Sequence, residues 1–441
     1  MDADADAAAA LLSPADRLAA LRAGRLPGLR VLRLPGLGLT SLPPEILALA
    51  PSLELLDLSG NRLPDLPPDL TRLERLSAVF VSGNPMRRLP AALGGCAALG
   101  QIGARGCGLE ELPAEALPPR LRWLTLTDNV LSVLPASLGR QGRLTKLLLA
   151  GNRLKALPAG LEGAASLELL RLAANDLDDL PGWIERLPSL AWLGWSANPF
   201  EGFFPVPAAQ GIRWAELEAG ALLGEGASGR VLAGRWRQPG AGDRPVALKL
   251  FKGAMTSDGL PEREMAACLA AGAHPQLTGA LGRIEGHPDS LAGLVMPLLP
   301  AGWQALAGPP SLASCSRDVW PEAQRITPQA GLRLARAAAT AGAHLHRRGL
   351  LHGDLYAHNL LWDGGRGEAV LSDFGAASVL PPGRRGLARL ESRALGILLE
   401  ELIAACPALQ QPLGALAAAC RQPEVARRPS LAEALAQMPE P

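Results

Sequence analysis

Residues 53–63 read Leu53-Glu54-Leu55-Leu56-Asp57-Leu58-Ser59-Gly60-Asn61-Arg62-Leu63, and the spacing of their leucines decides the first half of the fold. Leu56 and Leu58 alternate as inward side chains of a short strand do, which turns Asp57 to the opposite, concave face. Asn61 ends the strand, where its amide can satisfy backbone groups as the chain bends away. The same L-x-x-L-x-L-x-x-N-x-L frame opens at Leu29, Leu53, Leu76, Leu99, Leu121, Leu144, Leu167 and Leu190, at offsets of 24, 23, 23, 22, 23, 23 and 23 residues. Asn84, Asn129, Asn152, Asn175 and Asn198 hold the Asn61 position, Cys107 takes it in the fourth unit, and the first frame frays at Leu37. Leu-Pro pairs follow each turn, from Leu66-Pro67 to Leu180-Pro181, and the restricted φ of proline suits an extended convex return. One unit cannot bury its own leucines, whereas stacked neighbours can, so the period predicts about eight units of an α/β solenoid over residues 29–205. A helical cap is expected within residues 1–28, where Ser13 can N-cap a helix that starts at Pro14 and carries Leu18 and Leu21 on one face.

Working outward, the 441 residues leave room for further domains, and all six histidines lie beyond residue 270. The two halves therefore have different work. A formal charge of +1 gives no global field for nucleic acid or an anionic membrane, so recognition must come from local sites. Six scattered cysteines without a C-x-x-C pair fit a reducing compartment and no zinc site. The acidic start, MDADADAAAALL, is unlike a signal peptide, and no run of 18 apolar residues occurs, so a cytoplasmic protein is expected.

From residue 213 the pattern becomes strand, glycine turn, strand, polar loop, strand. Leu223-Gly224-Glu225-Gly226-Ala227-Ser228-Gly229-Arg230-Val231 is a G-x-G-x-x-G-x-V loop. A strand follows it, where a dinucleotide-binding turn would demand a helix. Lys249, after Val246-Ala247-Leu248, is one of only four lysines among 43 basic residues. Its retention marks a place for a compact ammonium where a planar fork does not fit. Glu262 and Glu264 lie on different sides of one helix, so only one of them can pair with it. Leu294 to Leu299 read as an apolar strand feeding a linker. His352-Gly353-Asp354-Leu355-Tyr356-Ala357-His358-Asn359 follows, and Asp373-Phe374-Gly375 comes fourteen residues after Asn359.

These residues resemble the eukaryotic-type protein kinase family, and the first half resembles leucine-rich-repeat proteins. Together the two cover about residues 29–438. The expected architecture is a leucine-rich-repeat horseshoe, then a two-lobed α+β kinase-like domain with its N-lobe and hinge at 213–300 and its C-lobe at 301–438. The resemblance implies that Leu223, Gly224, Gly226, Gly229, Val231 and Ala247 enclose ATP, with Met296 bordering adenine and Leu299 in the hinge. It implies that Lys249 pairs with Glu264, whose spacing to His274-Pro275 fits better than that of Glu262. Asp354 would orient the acceptor hydroxyl and take its proton, and Asn359 with Asp373 would hold Mg²⁺. His352, Phe374 and Cys268 would form a buried spine, Glu391 would be the buried acid of a long helix, and Arg428 would belong to the closing arginine motif.

The departures from the family are specific. Gly353 stands where regulated kinases have arginine, Tyr356 where serine/threonine kinases have lysine, and Ala-Pro-Glu is absent. Only Ala376–Leu390 separate Gly375 from Glu391, with Ser378 their one hydroxyl. With nothing else there to phosphorylate, an arginine beside Asp354 would have no phosphate to hold, so a centre without a loop-phosphate switch is expected. His358 could contact the acceptor or serve as a loop histidine bonded to backbone. On the repeats, the outward positions Trp123, Lys146, Arg171 and Trp192 have the composition of a protein-binding patch, or of a face that packs on the second domain. The function implied is a serine/threonine protein kinase that uses ATP and Mg²⁺ and acts on a protein substrate or regulator. A silent scaffold and a small-molecule phosphotransferase are the alternatives.

Overall fold

A computed structural model gives the conformation of residues 6, 7, 9–201, 210–238, 240, 242–253 and 255–441. Residues 202–205 of the expected repeats and 1–5 and 8 of the expected cap lie outside the described residues. The chain divides into two compact units, Met1–Leu167 with Asn175–Pro181, and Glu168–Ala174 with Gly182–Pro441.

The first unit opens on helix α1 (Pro14–Arg22), whose N-cap Ser13 accepts the Asp16 N–H at 3.2 Å. Six strands follow: β1 (Val31–Arg33), β2 (Leu55–Asp57), β3 (Ala78–Phe80), β4 (Gln101–Gly103), β5 (Trp123–Thr125) and β6 (Lys146–Leu148). Each begins two residues after the leucine that opens its frame, and neighbours pair in parallel, Leu32 opposite Leu56 and Leu56 opposite Val79. Leu56 and Leu58 are fully buried. Asn61 closes its turn from four directions: its Oδ1 accepts from Leu37 and Leu39 at 2.9 and 3.1 Å, and its amide donates to Leu34 and Leu58, both at 2.8 Å. Cys107 keeps one of these roles, its thiol donating to the Val81 carbonyl at 3.3 Å. The residue ahead of the asparagine takes a left-handed conformation, supplied by glycine at Gly60, Gly83 and Gly151.

The convex return is not extended as the Leu-Pro pairs suggest. Pro67, Pro113, Pro135 and Pro158 are extended, φ −69° and ψ 151° at Pro67, but the residues after them wind into short 3-10 turns such as Pro68–Arg72 and Ala136–Arg140. Proline lacks the N–H that a first turn cannot use anyway, so it starts the turn instead of prolonging the strand. Leu70 then donates back to the Pro67 carbonyl at 3.0 Å.

The second unit holds two further repeat strands, β7 (Leu169–Arg171) and β8 (Trp192–Gly194), paired in parallel with Leu170 opposite Leu193. A six-stranded sheet follows, from β9 (Gly211–Arg213), β10 (Leu217–Glu225), β11 (Gly229–Gln238), β12 (Gly242–Phe251), β13 (Gly282–Glu285) and β14 (Gly293–Pro297), in the order β10-β11-β12-β14-β13-β9. One face buries Ile212, Trp236, Val246, Leu248, Leu250, Ile284 and Val295 together. Helix α2 (Pro261–Ala271) lies between β12 and β13 in the chain. The second lobe is helical, built on α3 (Pro328–Arg347), α4 (Arg385–Ala405), α5 (Gln410–Cys420) and α6 (Leu431–Gln437). The architecture is a leucine-rich-repeat solenoid followed by a two-lobed kinase fold. No helix among the described residues is long and apolar enough to cross a membrane.

Candidate active site

Strand β12 carries Lys249 opposite Val231 on one side and Leu294 on the other, so its side chain leaves the middle of the sheet. It enters a cleft of about 640 Å³ between the sheet and the second lobe. Leu223, Gly224, Gly226, Gly229, Val231 and Ala247 line the same cleft, as do Met296, Leu299, Glu264 and Asp373. Met296 is the register partner of Ala247, which places the two on one wall. A Cβ on Gly224 or Gly226 would meet nothing within 4 Å, whereas one on Gly229 would strike the Leu250 carbonyl oxygen at 2.4 Å. The first two glycines therefore leave room above the cleft, while the third is required by the hairpin itself.

Lys249 makes a buried ion pair with Glu264 of α2, and Glu262 is exposed. Burial opposes the ammonium charge, but Glu264 and then Asp373 outweigh it and hold Lys249 protonated above its usual range. Asp373 has φ 61°, a strained conformation for a non-glycine residue, and its Oδ1 accepts the Gly375 N–H at 3.0 Å.

The residues of the 352–359 loop gather around Asp354. The amide of Asn359 donates to both the carbonyl and Oδ2 of Asp354 at 2.8 Å, which leaves its own amide oxygen as an acceptor for a hard cation. The Ser372 hydroxyl donates to the Asn359 carbonyl at 2.8 Å and ties this loop to Asp373. His352 packs against Phe374 with ring centroids 5.5 Å apart, and Cys268 is buried. Glu391 is buried and accepts from the Gly353 N–H at 2.8 Å, with His346 bonded to its other oxygen at 2.8 Å. His358 bonds to a carboxylate, its Nδ1 lying 2.7 Å from Asp318.

The expected partner patch needs correcting at three of its four positions, because Arg171 and Trp192 are each only 1% exposed and Lys146 7%, so none of them can serve as an open hot spot. Arg171 of β7 reaches the 352–359 loop instead. Its Nη2 pairs with Asp354, its Nη1 donates to the Gly353 carbonyl at 3.0 Å, and its Nε donates to Asp258 at 2.6 Å. Burial opposes its charge, yet Asp354 and Asp258 raise its pKa further. Trp192 stacks on Tyr356 at 4.0 Å with 6° between the planes, and its indole donates to the Leu355 carbonyl at 3.1 Å. The other two patch residues meet each other, the Lys146 ammonium lying 4.3 Å from the Trp123 ring centroid. Glu168 takes Arg317 bidentately at 2.6 and 2.7 Å, and Arg428 donates to the carbonyls of Gln422 and Pro188 at 2.8 and 2.6 Å. Sequence reading missed Arg171, Asp258 and Glu168 as part of this site. The available signal was the pair of absences at positions 353 and 356.

Residues 217–386 match the model of the family described as protein tyrosine and serine/threonine kinase, and residues 52–73 match that of the leucine rich repeat. A leucine-rich-repeat protein of Leptospira interrogans is similar at 27% identity and a TM-score of 0.35 over 41% of this chain, which spans about half, 52%, of that one. No curated protein matches. The chain combines leucine-rich repeats with a protein kinase domain.

Proposed function

We propose that the protein is an ATP- and Mg²⁺-dependent kinase that phosphorylates serine or threonine hydroxyls of a protein, in the cytoplasm, with its repeats recruiting or regulating through a protein partner. One observation carries the reading: Lys249, held by Glu264, and Asp373 line a single cleft, and Asp354 with Asn359 stands on the loop tied to Asp373. The donor set fits the cofactor. Mg²⁺ is ordinarily held by one or two side-chain oxygens together with phosphate oxygens, so Asn359 and Asp373 suffice without an all-protein cage. Among the described residues no cluster of three His, Cys, Asp or Glu offers such a cage.

Bound MgATP supplies the electrophilic γ-phosphorus and a leaving group, ADP. Lys249 would hold the α and β phosphates, and the open space above Gly224 and Gly226 lets backbone N–H groups approach them. Asp354 orients the acceptor hydroxyl and receives its proton as the new O–P bond forms and the bond to the β–γ bridging oxygen breaks. A silent scaffold is the second reading, favoured by Arg171 on Asp354 and by Tyr356, whose buried hydroxyl has no partner among the described residues.

Radiolabelled transfer from MgATP to generic proteins and to the chain itself tests this, comparing wild type with K249M, D354A and D373A. Loss of at least about 100-fold in each variant is expected. Transfer that persists in D354A and D373A would overturn the site, and nucleotide binding without transfer would favour the scaffold.

A further inference from the structure

We propose that Arg171, carried by repeat strand β7, is a positioning residue of the kinase centre that orients the Asp354 carboxylate in place of the cation absent at positions 353 and 356. The inference rests on the phosphotransferase reading above and extends it to a residue outside the kinase-like sequence.

Positions 353 and 356 cannot supply that cation. Gly353 has φ +76°, and a Cβ there would lie 2.6 Å from the Ala376 carbonyl oxygen and 2.8 Å from that of Leu193. No arginine can occupy the position. Tyr356 is neutral and committed to its stack on Trp192. Arg171 instead approaches from β7 and engages consecutive residues, the Gly353 carbonyl at 3.0 Å and the Asp354 carboxylate. Trp192 of β8 adds the Leu355 carbonyl at 3.1 Å. Two parallel repeat strands thus hold four successive catalytic-loop residues.

The geometry is that of an aligning contact. Arg171 takes Oδ1 of Asp354 and Asn359 takes Oδ2, which fixes the carboxylate plane from both ends. Each carboxylate oxygen offers two lone pairs, so one on each remains for an incoming hydroxyl. The Asp354 side chain keeps 16% of its surface, an opening through which that hydroxyl can arrive. Asp258 completes the arrangement: it accepts the Nε–H at 2.6 Å, so the guanidinium is gripped along both edges and cannot swing away. Its Cβ also lies 3.6 Å from where a Cβ on Gly375 would be, which seats this grip beside the Asp-Phe-Gly turn.

The test uses the full chain with R171M, which keeps the volume without the charge, and R171K, which keeps the charge without the fork. Steady-state transfer gives kcat and the KM for ATP, and fluorescence titration with an N-methylanthraniloyl ATP analogue gives nucleotide affinity apart from turnover. For R171M we expect kcat lowered about 10- to 100-fold with KM and analogue affinity within about 2-fold of wild type, and for R171K a partial recovery of kcat. R171K also carries the test if R171M does not fold. A rise in kcat in either variant would make Arg171 a block on Asp354 and overturn the proposal. Unchanged kcat, or equal loss of kcat and nucleotide affinity in R171K, would reduce Arg171 to packing. Absence of transfer from the wild-type chain would overturn the phosphotransferase reading itself, and that outcome is seen before any variant is compared.

Discussion

Gly353 and Leu193 are so close that a Cβ on the glycine would lie 2.8 Å from the leucine carbonyl oxygen. The backbone of Gly353, at φ +76°, is also one that L side chains rarely adopt. The two constraints act together, so Gly353→Ala should lower stability by about 2–3 kcal/mol. Thermal unfolding followed by circular dichroism checks this, with a drop of several degrees expected. A melting temperature equal to that of wild type would show that β8 can retreat without loss.

Ser378 is the one hydroxyl between Gly375 and Glu391, and it is fully buried. Its Oγ accepts the Trp195 N–H at 2.9 Å and donates to the Ala376 carbonyl at 3.3 Å. A phosphate there would have to displace Trp195. We predict no stoichiometric phosphate at Ser378 after incubation with MgATP, read by mass spectrometry. Ser378→Asp should destabilise the chain by about 3 kcal/mol or more, and Ser378→Ala by about 1 kcal/mol. Stoichiometric phosphate coupled to a large activity gain would contradict the absence of a loop-phosphate switch.

Ala174 and Ala197 sit where other turns place glycine, at φ 51° and 61°. A left-handed alanine is disfavoured by about 1–2 kcal/mol, and glycine gives back part of that gain through the entropy of the unfolded chain. Ala197→Gly should therefore stabilise by about 0.5–1 kcal/mol, measured as a shift in denaturant midpoint at unchanged slope. A loss of stability would mean that the alanine methyl contributes packing greater than the strain.

Burial, with Asp318 adding to it, pushes the Glu401 carboxyl up to about 7 from 4.5. The native state therefore favours the protonated form. Below pH 4.5 the acid is protonated whether the chain is folded or not, and it contributes nothing. Between pH 4.5 and about 7 it ionises more readily in the unfolded chain, so stability falls as pH rises, and above 7 the loss is complete. Glu401→Gln should be close to wild type at pH 4.5 and more stable by about 2 kcal/mol at pH 8. Melting temperatures at the two pH values decide it: an advantage that is absent at pH 8 would place the carboxyl in a solvated environment.

Much of this was legible in the sequence because the physics is local. The leucine period located the repeats, since every frame must bury the same positions. Lys249, Glu264, Met296 and Asp373 were legible through the resemblance of their motifs to the kinase family, since helix spacing alone separates Glu262 from Glu264 without choosing between them. The convex turns were misread: proline restricts its own φ but does not say whether the next residues extend or coil. Arg171 and Trp192 could be recognised as outward-facing, but nothing nearby in the chain says what covers them.

The sequence alone determined the leucine solenoid, because its period fixes which positions must be buried, and it carried the motifs whose resemblance to kinases implied the second fold and the residues of its cleft. Only the tertiary structure decided that Arg171 meets Asp354, 183 residues away, and that Gly353 is glycine because β8 runs against it. Such pairings depend on how distant strands and loops are brought together, and no pattern within a window of the chain encodes that distance.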